Sequence, residues 1–236
     1  MKRFYKQVAV AQGADGWQVT LDGRGVKSQG GRPQIVPSRA LGELLAAEWA
    51  AQSEEIDPAA FVQRDMADFA LDVIEPDRHA AMTALLRFAE GDTLSYRADA
   101  GEPLHDRQLE LWEPLLRAAE ARYDVHFERI DGIIARPQPP ATLTHLRAVL
   151  AAKDDFTLSA LNTLASLSAS LTVALAALEP EADAEALWAV ANLEEDWQAE
   201  LWGKDWEAEQ KRAQRAATFA QAMVFAQTAG PSTSSG

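Results

Sequence analysis

Apolar positions come in short β-prone runs at the start of the chain and at helical spacing through the rest. Between residues 4 and 36 the stretches QVAV, WQVTL, GVKS and PQIV are separated by glycine-bearing turns, which is the punctuation of a small sheet. Asp22-Gly23, between WQVTL and RGVKS, is the signal of a tight hairpin, because glycine tolerates the positive φ that a primed turn requires. After Pro37 the period changes. Ser38 is a candidate N-cap, and Leu41, Leu44, Leu45 and Trp49 follow on one helical face to about residue 52. Asp57-Pro58 reopens a helix, residues 65–74 continue with Met66, Phe69, Ala70 and Val73 on one face, and Glu75-Pro76 starts another that ends near Gly91. A long amphipathic helix is predicted over 104–123, followed by a short extended piece and a proline-rich loop over 125–140. Further helices are predicted over 141–152, 155–178, 183–202 and 205–227, with Pro180 and Gly203 between the last three.

This order gives an α+β fold class: a small N-terminal β-rich mixed domain over 1–63 (β-hairpins, then a helix) and a mainly α-helical C-terminal domain over 64–230. PSTSSG, residues 231–236, reads as a flexible tail. One run requires a decision about its solvent, since residues 156–178 carry no charge over 23 positions and are long enough to be weighed as a membrane span. Thr157, Ser159, Asn162, Thr163, Ser166, Ser168, Ser170 and Thr172 fall within it, and acids flank it. That density of polar side chains suits a helix buried among protein helices, so a central core helix and no membrane insertion are expected.

Charge narrows the partners. Lys and Arg number 22 against 36 Asp and Glu, a formal net of -14 that repels phosphate backbones and anionic lipid, so no nucleic-acid partner is expected. The imbalance is uneven: residues 1–39 hold seven basic and two acidic side chains, whereas 179–209 hold eleven acids and only Lys204 as a base. Such crowding opposes compaction unless positive charge is supplied, by the basic opening or by a cationic protein. With 47% apolar residues the chain can bury a substantial core without disulfides, and it has no cysteine for a disulfide, a thiolate nucleophile or a thiolate metal site. MKRFYKQVAV has no apolar signal region, so a cytoplasmic location is expected.

Candidate chemistry is sparse. His79, His105, His126 and His145 show no pair at four-residue spacing, and no metal site is expected. His105 beside Asp106 has the composition of a base and its orienting acid, but adjacent helical positions point about 100° apart. The glycines around Gly23-Arg24-Gly25 precede more strand-like sequence rather than a helix, which favours hairpin turns over a phosphate loop. Acid pairs such as Glu194-Glu195 and Asp154-Asp155 cannot straddle a substrate as a glycosidase pair must, and Asp154-Asp155 suits a helix N-terminus. No catalytic residue, no cofactor and no enzymatic activity are expected.

The segment NLEEDWQAELWGKDWEAEQ, residues 192–210, combines three tryptophans with many carboxylates. Leu193, Trp197 and Leu201 fall at four-residue steps on one helical face, with Trp188 reaching the same side, and that stripe is expected to be core. Glu194, Glu195, Gln198 and Trp202 flank it, a border of carboxylates and an indole between core and water that suits either protein recognition or an ordinary helix edge.

Eight blocks in order carry a resemblance: RFYKQVAV (3–10), GWQVTLDGRGVKS (16–28), AAEWAAQSEEIDP (46–58), DFALDVI (68–74), GDTLSYRA (91–98), QLELWEPLL (108–116), DDFTLSAL (154–161) and LEEDWQAELWG (193–203). Together they resemble the ATP12-type assembly chaperones, which attend the alpha subunit of the F-type ATP synthase catalytic head. The resemblance implies a holdase without ATPase activity that shields the free alpha subunit until beta covers it. It places the family's functional acid at Glu194 or Glu195, without deciding between them, and puts Trp49 on a family-pattern position where packing is the alternative role. Arg97 is a candidate for an ion pair across the two domains. The mitochondrial members carry a transit peptide that this sequence does not show, so the resemblance implies a bacterial cytoplasm. Two other classes stay open: a small-molecule binding protein or hydrolase using an inter-domain cleft, with His105 and Asp106 as candidates, and a structural component of a larger assembly.

Overall fold

A computed structural model describes residues 1–132, 136–203 and 206–230, and the expected tail at 231–236 lies outside them. Strands β1 (Val8–Gln12) and β2 (Trp17–Leu21) pair antiparallel in the register Val8 to Leu21. β3 (Arg24–Gly25) and β4 (Ile35–Val36) both pair with the other edge of β2, at its two ends. The turn predicted at Asp22-Gly23 is present with φ of 49° and 79°, both positive as a type I′ turn needs. The Asp22 carboxylate braces it by accepting hydrogen bonds from the Lys6 and Gln7 amides. Helix α1 (Arg39–Ala51) lies across the sheet, with Ser38 Oγ accepting from Leu41 N at 3.1 Å. Val19 and Leu21 on one face of β2 and Leu41, Leu45 and Trp49 on α1 are buried. The two layers touch at Gly42, where a Cβ would stand 2.9 Å from Val10 Cγ1.

The connection to the helices departs from expectation. Asp57-Pro58 opens a single 3₁₀ turn, Pro58–Ala60, and α2 (Val62–Phe69) then runs into a π-helical turn, Ala70–Ile74. The wider turn rotates the apolar face, so Leu71 and Ile74 are buried while Val73, expected in the core, is 49% exposed. The loop 28–34 holds this turn. Arg32 donates to the Leu71 carbonyl and pairs with Glu75 at 2.8 Å, and Ser28 Oγ and Gly30 N each bond Asp72 at 2.7 Å. Gln29 N and Gln34 Nε2 bond Asp68, whose carboxyl burial pushes above its ordinary range despite these donors. Here the basic opening of the chain does meet acids of the body.

The helical part continues with α3 (Arg78–Glu90), β5 (Tyr96–Arg97), α4 (Pro103–Tyr123), β6 (Ile130–Asp131) parallel to β5, and α5 (Pro140–Ala151). Arg97 does not reach across to the N-terminal segment. It pairs with Glu113 of α4, which also receives Arg117 at 2.8 Å and Arg129 at 3.1 Å. Burial opposes ionisation of Glu113, but Arg129, Arg97 and Arg117 together outweigh it and hold the carboxyl at about 2.

The uncharged run 156–178 is central but is not one helix. α6 (Asp155–Ser168) stops at Ala169, which takes a left-handed φ of 50°, and α7 (Leu171–Ala176) restarts after it. The hydroxyls explain the break. Ser168 Oγ bonds the Leu164 carbonyl, Ser170 Oγ caps Val173 N at 3.0 Å, and Thr93 donates through both N and Oγ1 to the Ala169 carbonyl. Fully buried Asp92 accepts from Thr172 N at 2.9 Å and Thr172 Oγ1 at 2.8 Å, fixing the start of α7. Leu158, Leu161 and Leu164 of α6 have no exposed surface, and α2, α3, α7 and α10 pack around them. Among the described residues no helix is long and apolar enough to cross a membrane. The predicted helix 183–202 is also two, α8 (Ala184–Ala191) and α9 (Leu193–Trp202), separated at Asn192, whose side chain bonds the Trp188 carbonyl at 2.8 Å. α10 (Trp206–Ala229) closes the fold.

Candidate partner-binding surface

Helix α9 is buried at its start and exposed at its end. Leu193 is buried, Trp197 is half-buried and Leu201 is 60% exposed, so the predicted core stripe holds only at its first position. The reason is direction: α9 leaves the body as it runs, and Trp197 meets a cation rather than the core, with Arg107 of α4 4.8 Å from its ring centroid. At the far end Trp202 is 86% exposed and Trp206, where α10 begins, is 68% exposed. Gly203 between them has φ of 91°, a turn that a side-chain-bearing residue would resist. Leu201, Trp202 and Trp206 are thus three large apolar side chains exposed on a strongly acidic molecule.

The acids around it are arranged by the two neighbouring helices. Glu194 faces α4, where its carboxylate accepts from Gln108 Nε2 at 2.8 Å. Burial raises its pKa and the Gln108 bond partly offsets that, although the residue as a whole is exposed. Gln108 is itself fully buried, and its Oε1 accepts from Ala98 N at 2.8 Å, so it fixes Glu194 relative to the backbone after β5. Glu195 points the other way and lies 3.8 Å from Arg215 of α10. Asp196 is paired with Arg212, and Glu200 with Arg107 at 3.0 Å. Below them Trp112 Nε1 donates to the Val190 carbonyl at 2.8 Å and ties α4 to α8. The like-charge crowding of 179–209 is therefore relieved by arginines of α4 and α10, with Arg122 on Glu179 at 2.7 Å adding to them, rather than by the basic opening.

Of the predicted residues, Glu194, Glu195, Gln198 and Trp202 share α9, with Gln198 exposed. Trp49 lies elsewhere. It is buried in α1 against Tyr5 at 5.5 Å and Phe61 at 4.5 Å between ring centroids, with no partner for its indole N–H among the described residues. Trp206 joins the surface without having been assigned a role, Leu201 joins it from the expected core stripe, and buried Gln108 supports it from beneath. Gln108 carried a signal, a polar side chain one turn before Trp112 in an otherwise amphipathic helix. His105 lies 4.0 Å from Asp106 and 3.9 Å from Asp131, beyond hydrogen-bond reach of both.

Comparison with known proteins agrees with this architecture along almost its whole length. The family profile described as ATP12 chaperone protein matches residues 2–120. The mitochondrial protein atp12 of Schizosaccharomyces pombe is 27% identical over 209 residues, covering 82% of this chain and 70% of that protein. The crystal structure of Atp12 from Paracoccus denitrificans superposes with a TM-score of 0.89 at 36% identity, covering 97% of this chain and 98% of that one. A solved protein of Agrobacterium tumefaciens superposes with a TM-score of 0.92 at 37% identity, covering 96% and 85%.

Proposed function

Because this chain belongs to the ATP12 chaperone family, we propose that it serves assembly of the F-type ATP synthase by binding the free alpha subunit and shielding it from aggregation until beta pairs with it. The observation that carries the reading is the exposure of Leu201, Trp202 and Trp206 at the end of α9 and the start of α10, next to the acids of α9. Large apolar side chains held in water at the end of a helix are a cost that binding to an exposed apolar surface removes. An unpaired alpha subunit would offer such a surface, since the face that beta later covers is apolar and sticky while uncovered. Binding of this kind makes and breaks no covalent bond. Glu194, Glu195, Gln198 and Trp202 form the contact, with Glu194 set in place by Gln108. Trp49 supports it from a distance through the packing of α1 against the sheet. The setting would be the bacterial cytoplasm.

Co-expression tests this. With the synthase alpha subunit, the chain should raise the soluble yield of alpha and co-purify with it; an unchanged yield and no complex would overturn the proposal. Glu194→Lys should lose the Gln108 contact and the rescue, whereas Glu195→Lys should place a second cation beside Arg215 and weaken rescue less. Full rescue by both variants would remove the acids from the contact.

A further inference from the structure

A second concavity lies on the other half of the molecule, between the β2–β3 hairpin, the first residues of the chain and helices α1 and α2, with a volume of 520 Å³. Its wall is apolar, made by Tyr5, Leu21, Val26 and Trp49, all buried, and Phe4 stands at the rim 64% exposed. Trp49 is only 7% exposed, yet its Nε1–H has no acceptor among the described residues. A buried indole N–H normally finds one, and this one is left bare. The lining also contains Arg24 and Lys27, neither of which forms an ion pair among the described residues. The two acids of the cleft are already engaged, Asp22 by the Lys6 and Gln7 amides and Asp68 by Gln29 and Gln34. What the cleft offers is therefore unpaired positive charge against an apolar wall.

The backbone adds a shape requirement. Both residues of β3 line the cleft, and β3 is an edge strand that pairs only with β2. An edge strand opening onto a groove favours an extended chain, with main-chain bonds for affinity and side-chain contacts for selectivity. We propose that this cleft is a peptide-binding site for an extended acidic–apolar segment of a partner chain, its apolar side chain against Tyr5, Leu21 and Val26, its main chain along β3 and a carboxylate beside Arg24 and Lys27. The site is separate from the α9 surface and does not depend on which subunit that surface binds. It also gives the basic opening of an otherwise acidic protein a task.

The test needs no alpha subunit. In the ¹⁵N-labelled full chain the seven tryptophans each give an indole signal, and that of Trp49 is identified by its contacts to the Tyr5 and Phe61 rings. The probes are acetyl-Leu-Glu-Leu-Glu-amide, its Leu-Lys-Leu-Lys counterpart and sodium acetate. The acidic peptide should shift the Trp49 indole signal saturably with a Kd on the order of 1 mM, as suits a short flexible ligand. The lysine peptide should bind at least about tenfold more weakly, and the doubly substituted Arg24→Glu, Lys27→Glu chain, altered at exposed positions only, should lose a similar factor for the acidic peptide. An unmoved Trp49 signal, an equal shift with acetate alone, or undiminished binding by the double variant would each overturn the proposal.

Discussion

Replacing Glu113 with glutamine should cost stability at neutral pH and lose most of that cost in acid. Glu113 is reached by Arg97, Arg117 and Arg129, and Arg97 is almost wholly buried. The carboxyl is held at about 2 in the folded chain against an ordinary 4.5. The folded state therefore favours the ionised form, and its contribution is complete above pH 4.5 and disappears as pH falls toward 2. At about 1.36 kcal/mol per pKa unit the ceiling is ~3.4 kcal/mol, and solvent screening of the outer arginines reduces it to about 2 kcal/mol. Urea unfolding of both proteins at pH 7, pH 4.5 and pH 3 measures the difference directly, and glutamine does not titrate, so other acids cancel. The gap between the two proteins should be about 2 kcal/mol at pH 7 and about half that near pH 3. A gap that stays constant, or widens in acid, would show that Glu113 stabilises through packing alone and would refute the charge argument.

Three further outcomes are expected. Leu161→Ala, at a fully buried position of α6, should cost about 2–5 kcal/mol and lower the Tm by roughly 5–15 °C in a calorimetric scan. Gly23→Val should destabilise by about 1–2 kcal/mol, because φ there is 79° and a β-branched residue resists it; urea titration reads the change. Trp202→Ser should leave the unfolding midpoint within about 0.5 kcal/mol of the parent while abolishing capture of the alpha subunit in a pull-down, and loss of both together would mean that the residue is structural.

What could be read in advance was whatever a local pattern decides. Asp22-Gly23 and Ser38 act through their immediate neighbours, and both appear as expected. The α+β class followed from the change of period after Pro37. Most of the departures involve long-range partners, whereas the split at Asn192 is local. Ser170 is a local N-cap for α7, but the left-handed turn at Ala169 also depends on Thr93 and Asp92, which are far away in sequence. Val73 was assigned to the core on a 3.6-residue period, and the π-helical turn that exposes it is held by Arg32, far away in sequence. The surface was half legible: the acids and Trp202 were found on α9, but Leu201 reads as a core position until the helix is seen to leave the body. Gln108 could not be joined to Glu194, since 86 residues separate them.

The arginines beside α9 have a consequence for how recognition should respond to ions. Glu200 and Asp196 already have resident counter-ions, so an incoming cation competes with Arg107 or Arg212 instead of meeting a bare anion. Little new ion release accompanies such an exchange, and the affinity of a bound client should fall off with added salt far more gently than a formal charge of -14 would lead one to expect. The capture step is then governed by oily contact, and electrolyte chiefly alters how fast the two molecules find each other.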